Sequence, residues 1–525
     1  MASPLRRADL ICLATIAIIP TNQSLSYCFF PRIRVNFHHR MIENYSTESR
    51  QNFSLFNTLG RKLQVFEPIE PGKAGFYGCG PTVYNYAHIG NLRAYVTHDI
   101  LVRALRRFGY EVTHVMNVTD VGHLSDDADE GDDKMIVSAA KRGKSVLEIA
   151  DFYTEAFFRD TALLNIIKPT VICKATEHIP EMIDLIKRIE KRGSTYSAGG
   201  NLYFDISKFP NYGELALLRM DELKAGARTE VDEGKRNPSD FVLWFTKSKF
   251  AKQALVWDSP WGRGYPGWHI ECSAMSIKYL GENFDIHAGG IDHIPVHHTN
   301  EIAQSEAATG KSPWVNYWIH NEFLVMDKGK MSKSAGDFIT LQTLIEAGYD
   351  PLDYRYFLLG GHYRSQLQFS WEALDGARNS RKSLIDKLRS INRNASGVSA
   401  RPGGKAKQYL ANFDKALSDD LSTPRSLAEL WGLLRDSSIS PEDVLAVTRD
   451  MDEVLGLDLL TGMDRESDED REDPAFVAEI ESMIKERNAA KKAKDFSKAD
   501  EIRRSLNQRG IILEDTPSGT TWRKA

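Results

Sequence analysis

From Gly72 onward the apolar and polar positions fall into a repeating order: a short β-prone run, a turn, a helical stretch and a Val-rich run. Residues 74–79 read as a strand, Gly80-Pro81-Thr82 as a turn, residues 91–108 as a helix and residues 111–117 as a second, buried parallel strand. That order opens a nucleotide-binding α/β sheet. Between about Thr161 and Leu255 the rhythm breaks. A helix over residues 178–192 leads to short strand-like pieces at 201–204 and 241–245, which reads as an insertion between two halves of the sheet. The second half resumes at residues 257–266, with a helix through Cys272 and a strand at 283–287. Beyond Leu341 the pattern turns helical. A Gly/Pro/Ser linker at 395–405, an acidic linker at 464–473 and a basic helix over 481–506 follow.

Composition narrows the class. The chain has 525 residues, 42% hydrophobic and 26% charged, enough for several domains with cores that need no disulfides. Its five cysteines show no paired spacing, which favours a reducing compartment and metal or structural roles. A formal net charge of −5 argues against an indiscriminate nucleic-acid binder but leaves room for an RNA partner held by local basic clusters. The acidic stretch 125–134 reads as a solvated surface loop. Residues 1–52 differ from the rest. Arg6, Arg7, Arg32, Arg34 and Arg40 face Asp9 as the sole acid before Glu43, the composition of an organellar transit peptide. The apolar run 10–19 competes as a signal-peptide core and is too short to span a bilayer; a disordered extension is the plain alternative. The expected address is the mitochondrion, with a plastid, or the cytoplasm through a start at Met41, as alternatives.

Two short motifs carry nucleotide chemistry. In His88-Ile89-Gly90-Asn91 a strand turns into its helix, so free N–H groups and the positive helix end face phosphates. Gly90 allows close backbone approach and His88 can donate to phosphate oxygens. In Lys330-Met331-Ser332-Lys333-Ser334, two lysines beside small hydroxyl residues can neutralise charge on a triphosphate as pyrophosphate leaves. Alone, the first is a helix-capping turn and the second a basic loop. Together, in this order, they resemble the signatures of class I aminoacyl-tRNA synthetases. Asn91 departs from that pattern, which usually has a second His there; Asn keeps a donor but cannot become cationic.

A third cluster is a candidate metal site. In His297-His298-Thr299-Asn300-Glu301, helical spacing puts His297 and Glu301 on one face, able to converge on a metal, with His298 pointing elsewhere as an outer-sphere or surface residue. Cys79 and Cys272 are each readable as small core residues or as thiolate ligands. The segments Gly78 to Tyr84, Gly267 to Met275 and His297 to Gln304 resemble cysteinyl-tRNA synthetase, a similarity running from about Asn57 to the C-terminus. Thr299 stands where that family more often has Glu. The resemblance implies zinc held by Cys79, Cys272, His297 and Glu301, and amino-acid contacts from Trp268, Thr119 and Asp292. It also implies ATP contacts from His88, Gly90, Asn91, Lys330, Ser332 and Lys333, of which His88, Lys330 and Lys333 are catalytic. Zinc binds thiolate far better than hydroxyl, so it can separate cysteine from serine where shape cannot.

The implied fold is α/β, a Rossmann-like parallel sheet split by an inserted domain and followed by an α-helical tRNA-binding region. The expected organisation is an extension (1–52), catalytic halves (53–160 and 256–325) around a connective insert (161–255), the lysine loop and stem-contact region (326–375), a helical anticodon-binding domain (376–462), an acidic linker (463–474) and a basic C-terminal unit (475–525). Expected partners are ATP with Mg²⁺, L-cysteine and tRNA(Cys), without a membrane and as a monomer. Basic residues around Lys491 and the ring of Trp522 are candidates for phosphate and base contacts. A cysteine ligase acting on a small amine would lack the tRNA-binding tail, and a non-catalytic RNA-binding homologue would have lost the lysine loop or a ligand. A metal hydrolase reading leaves both nucleotide motifs unexplained.

Overall fold

The computed structural model describes residues 53–121, 145–218, 234–247, 255–326, 329–330, 338–464, 474–493, 495–516 and 519–524. The extension, the acidic loop at 125–134, Ser332 and Lys333 lie outside them. An antiparallel hairpin, β1 (Ser54–Asn57) and β2 (Lys62–Val65), precedes the first long unit. In that unit β3 (Lys73–Gly78), α1 (Ile89–Arg107) and β4 (Glu111–Val118) follow one another, and β3 pairs in parallel with β4. Both strands are buried along most of their length because helices cover both faces of the sheet.

The parallel sheet reaches further than the sequence suggests. After α2 (Val146–Leu163), β5 (Val171–Lys174) pairs in parallel with β4, inside the interval read as an insertion. Four residues, VICK, are too few to display a period. Next, α3 (Ile179–Lys191) precedes the true insert, a four-stranded antiparallel sheet in the order β6 (Thr195–Ala198), β7 (Asn201–Phe204), β8 (Phe241–Phe245) and β9 (Tyr265–Pro266). Residues 257–266 therefore belong to the insert, through β9 and the Trp257–Gly264 bridge, and not to the second catalytic half. Then α4 (Trp268–Leu280), β10 (Phe284–Gly290), α5 (Thr299–Thr309) and β11 (Val315–Asn321) complete a parallel sheet of order β11-β10-β3-β4-β5. The strand order reverses at β3, where chain connections leave on both sides. Beyond the carboxyl ends of β3 and β10 lies the crevice in which such sheets bind ligands.

The remaining helices close the other face. β12 (Leu324–Met326), β13 (Gly329–Lys330) and, later, β14 (Leu367–Phe369) form a small sheet, with α6 (Leu341–Glu346) and α7 (Pro351–Leu359) between its strands in chain order. A bundle follows: α8 (Trp371–Arg393), α9 (Gly404–Ser418), α10 (Thr423–Arg435), α11 (Pro441–Leu455) and α12 (Leu459–Asp464). Leu92, Leu101 and Leu105 of α1 share one core with Leu417, Leu430 and Leu455 of the bundle. Buried charges lock this joint: Asp99 accepts from Arg103 Nε (2.8 Å), Arg355 Nη2 (2.5 Å) and the Ile167 N–H (2.8 Å). Both guanidinium groups also donate to backbone carbonyls, so the two cations that share the Asp99 carboxylate are held by hydrogen bonds as well as by charge.

The C-terminal unit has its own small core of Ile480, Ile484, Ile502, Leu506, Ile511 and Leu513. The expected single helix over 481–506 is two, α13 (Pro474–Lys492) and α14 (Phe496–Gln508), because Asp495 caps the second by accepting the Lys498 N–H at 3.1 Å. A hairpin of β15 (Ile511–Thr516) and β16 (Gly519–Lys524) completes it. Here Arg487 is buried, not a surface cation, and Trp522 packs against the small core. No helix among the described residues is long and apolar enough to cross a membrane.

Candidate functional site

The nucleotide end starts where β3 stops. Gly80 must lack a side chain, since a Cβ there would lie 1.7 Å from the Asn117 carbonyl oxygen, and its N–H donates to Asn117 Oδ1 at 2.8 Å. Eight residues on, His88 is the N-cap of α1. The Asn91 N–H donates to His88 Nδ1 (3.1 Å) and the His88 N–H to Asn91 Oδ1 (3.3 Å), a reciprocal capping box. Asn91 thus does the capping work that its acceptor oxygen allows. Because Nδ1 of His88 accepts, a neutral ring carries its hydrogen on Nε2. Gly90 leaves room for that ring, which a Cβ would touch at 3.0 Å. The turn is braced from the helical side by Tyr354, whose hydroxyl donates to the Ile89 carbonyl at 2.7 Å. Lys330 pairs through its backbone with Val325 in β12.

The sulfur end lies across the same cleft. Cys79 follows β3, Cys272 sits on α4, His297 in the π-helical turn (Ile294–His298) before α5, and Glu301 in the first turn of α5. Their four donor atoms lie within 4.8 Å of one another, and all four residues are buried. His297 Nε2 is 2.6 Å from Glu301 Oε1, the i,i+4 pairing the spacing anticipates. That oxygen is buried and has no hydrogen bond of good geometry, so both groups aim at a shared point more than at each other. Two sulfurs, one imidazole and one carboxylate around such a point fit a tetrahedral zinc ion.

The electrostatics agree. Burial, then a hydrogen bond to Cys272, pushes the Cys79 thiol well up, while the hydrogen bond from Cys79 holds the Cys272 thiol down against burial. Burial works to lower His297, but Glu301 and Cys272 carry it up to about 10. Burial works to raise Glu301, and His297 with His287 outweighs it, holding the carboxyl well below its usual range. Protons on Cys79 and His297 therefore stand where a dication would, and exchanging both for one leaves the net charge unchanged.

A second donor set, Cys79, His287, His298 and Glu301, overlaps the first. Only the first faces substrate space: Cys79, Cys272 and His297 line the cleft, while His287 and His298 stand behind it. His298 is nevertheless no surface residue. It is fully buried, and its Nε2 lies 3.3 Å from Cys79 Sγ. The π-helical turn breaks simple helical spacing there and turns both histidines inward. The sequence reading also missed His287, which hydrogen-bonds Glu301 Oε2 at 2.7 Å, and His269, whose Nδ1 is 2.9 Å from His297 Nδ1. A polar ring inside the apolar run FDIHAGG was the available signal.

Between the two ends lies a cavity of about 270 Å³ that Thr119, Trp268 and Asp292 help to line. Trp268 lies over His297, ring centroids 4.4 Å apart. Thr119 Oγ1 accepts from Asn117 Nδ2 (3.0 Å) and donates to Glu271 Oε2 (3.3 Å), so a lone pair remains for a substrate donor. Asp292 is exposed in the turn after β10. Of the thirteen predicted site residues, Ser332 and Lys333 lie outside the described residues and the Lys330 side chain is not described. Of the other ten, nine line this one cleft, and Glu301 stands just behind it against His297.

A parallel sheet with an antiparallel insert and a His-capped helix at the switch point defines a class I aminoacyl-tRNA synthetase. Residues 65–379 match the family model described as the tRNA synthetases class I (C) catalytic domain, and residues 473–523 match the cysteinyl-tRNA ligase anticodon binding domain. The second match does not reach the helices at 376–462, to which the sequence reading gave anticodon binding. The cysteine–tRNA ligase of Treponema denticola is 60% identical, covering 90% of this chain and 100% of its own, and that of Treponema pallidum (Nichols) is 47% identical over 90% and 99%. The chain belongs to the cysteinyl-tRNA synthetase family. Its fold is shared with Mycobacterium tuberculosis methionyl-tRNA synthetase bound by methionyl-adenylate, at TM-score 0.50 and 17% identity, covering 74% of this chain and 92% of that one.

Proposed function

We propose that this chain activates L-cysteine with ATP, taken as its Mg²⁺ complex, and transfers it to the 3′ end of tRNA(Cys). The observation that carries the reading is the convergence of the Cys79, Cys272, His297 and Glu301 donor atoms within 4.8 Å, on the cleft that also holds the N-terminus of α1. Zinc held by those four residues supplies a soft cation that prefers the cysteine thiolate to the serine hydroxyl. Trp268 walls the side chain. Thr119 accepts from the substrate ammonium and Asp292 offsets its charge from the mouth of the cleft. In the first step a carboxylate oxygen of cysteine attacks the α-phosphorus and pyrophosphate leaves with the electron pair. His88 Nε2–H, the Gly90 N–H with the positive end of α1, and Lys330 and Lys333 stabilise the charge that builds on the phosphates. In the second step the terminal tRNA ribose hydroxyl attacks the activated carbonyl and AMP departs. No side chain need act as a covalent nucleophile; positioning and charge suffice.

The C-terminal unit presents lysines around Lys491 to the phosphates of the tRNA. Residues 1–52 serve as a mitochondrial address, a reading supported by their arginine excess alone, since the relatives above are bacterial. A fluorescent fusion with and without those residues tests it; cytosolic fluorescence from both sinks it. The central test is charging of a tRNA(Cys) transcript with radiolabelled cysteine by the full chain. Cysteinyl-tRNA should form with ATP and not without it. A folded, zinc-loaded protein that forms none contradicts the reading.

A further inference from the structure

Behind the cleft, four buried groups form one unbranched hydrogen-bond chain. Cys79 Sγ lies 3.3 Å from His298 Nε2, His298 Nδ1 lies 2.7 Å from His320 Nε2, and His320 Nδ1 lies 2.7 Å from Thr58 Oγ1. Their exposures are 7%, 0%, 4% and 4%, so water does not compete for these contacts. Gly289 makes the approach feasible, because a Cβ there would sit 2.8 Å from the His298 ring.

Chemistry sets the direction of the chain. A sulfur that ligates a metal has no proton and only accepts. His298 Nε2 must then carry the hydrogen, which leaves Nδ1 as an acceptor. His320 Nε2 faces that acceptor and therefore donates, so His320 Nδ1 accepts from the Thr58 hydroxyl. Both imidazoles are neutral and both are fixed in the Nε2–H form. The chain runs Thr58 to His320 to His298 to Cys79, every member donating to the next.

The arrangement answers a charge problem. Once deprotonated, Cys79, Cys272 and Glu301 put three negative charges around a dication, and a substrate thiolate adds a fourth. A hydrogen bond to a ligand sulfur draws charge from it and makes room for another anion. We infer that the Thr58–His320–His298 chain is a positioning relay that tunes Cys79 so that the centre admits the substrate's thiolate. The inference rests on Cys79 being a metal ligand, as proposed above. It predicts that breaking the chain weakens cysteine binding while the metal stays in place.

The test uses the full chain loaded with cobalt(II), with metal content measured directly and cysteine binding followed by the sulfur-to-cobalt absorption band. His298→Gln keeps a donor near the Nε2 position and His298→Leu does not. Cysteine Kd should rise about tenfold in His298→Leu and stay within about twofold of wild type in His298→Gln. Thr58→Val, far from the metal, frees both rings to change tautomer and should raise Kd about threefold; Thr58→Ser should not. Should His298→Leu fail to fold or to hold metal, the Thr58 pair decides alone. Unchanged cysteine affinity in the metal-loaded Leu and Val variants overturns the relay by itself. No cysteine-dependent band in the wild type overturns the metal reading of Cys79, and the relay with it.

Discussion

The two ends of the cleft are built from different materials. At the sulfur end, side chains from β3, α4, the π-helical turn and α5 converge, all buried and each facing another ionisable group. At the nucleotide end fewer side chains are involved: the positive end of α1 with the Gly90 N–H, and one imidazole on its cap, since the Ile89 and Asn91 N–H groups are bonded within the protein. The contrast follows from what is bound. Phosphates are large, anionic and common to all nucleotides, and a helix N-terminus suits them whatever the side chains. Telling sulfur from oxygen needs an atom that prefers sulfur, so side-chain identity decides everything there.

Substitutions should separate the ends. Cys272→Ser should cost the metal and lower kcat/KM for cysteine about 10⁴-fold, with KM for ATP nearly unchanged; ATP–pyrophosphate exchange and metal analysis read both. At the other end His88→Ala should lower kcat roughly 10²- to 10³-fold while zinc content stays at one per chain. His88→Asn, which keeps the cap, should restore thermal stability without restoring rate. If His88→Ala also released zinc, the two ends would not be independent.

Acid should strike on the face of the sheet that packs against α1, where the His114 ring stacks on Phe76 with centroids 4.5 Å apart. Burial pushes the His114 imidazole down to about 3. In the unfolded chain the same ring takes a proton below about pH 6.5. Its contribution to stability is therefore complete above 6.5 and is lost as pH falls from there towards 3, by at most about 1.4 kcal/mol per pH unit. Urea unfolding across that window should show the slope, and His114→Leu should reduce it by at most that amount, because buried His98, His298 and His320 are pushed down by burial as well. A smaller loss, about 1–3 kcal/mol, is expected for Gly80→Ala, whose Cβ collides with the Asn117 carbonyl at the junction of both ends. Smallest of all, Lys492→Ala in the C-terminal unit should raise KM for tRNA only a few-fold and reduce its salt dependence by about one charge.

Legibility in the sequence followed the same division. The β3-turn-α1-β4 order was readable because each element is long enough to show its period. The spacing of His297 and Glu301 was readable because one helical turn joins them. β5 was missed, since four residues show no period, and residues 257–266 were misplaced because β9 is defined by its distant partner β8. His298, His287 and His269 gained their places from contacts 14 to 219 residues apart or across helices, which no local pattern encodes. The ligand identities of Cys79 and Cys272 came from resemblance, and the structure then brought their sulfurs together. Trp522, a candidate for a base contact, is half-buried against a small core whose strands and helices pair only in three dimensions, and Arg487 of the same unit is buried.

The central claim is that buried side chains at one end of the cleft select sulfur over oxygen. It is tested most directly by ATP–pyrophosphate exchange of the zinc-loaded chain, with cysteine and serine compared as kcat/KM. The account predicts a preference for cysteine of at least about 10⁴-fold that collapses in Cys272→Ser. A preference near the 10² that shape alone provides, or one that survives loss of Cys272, would contradict it.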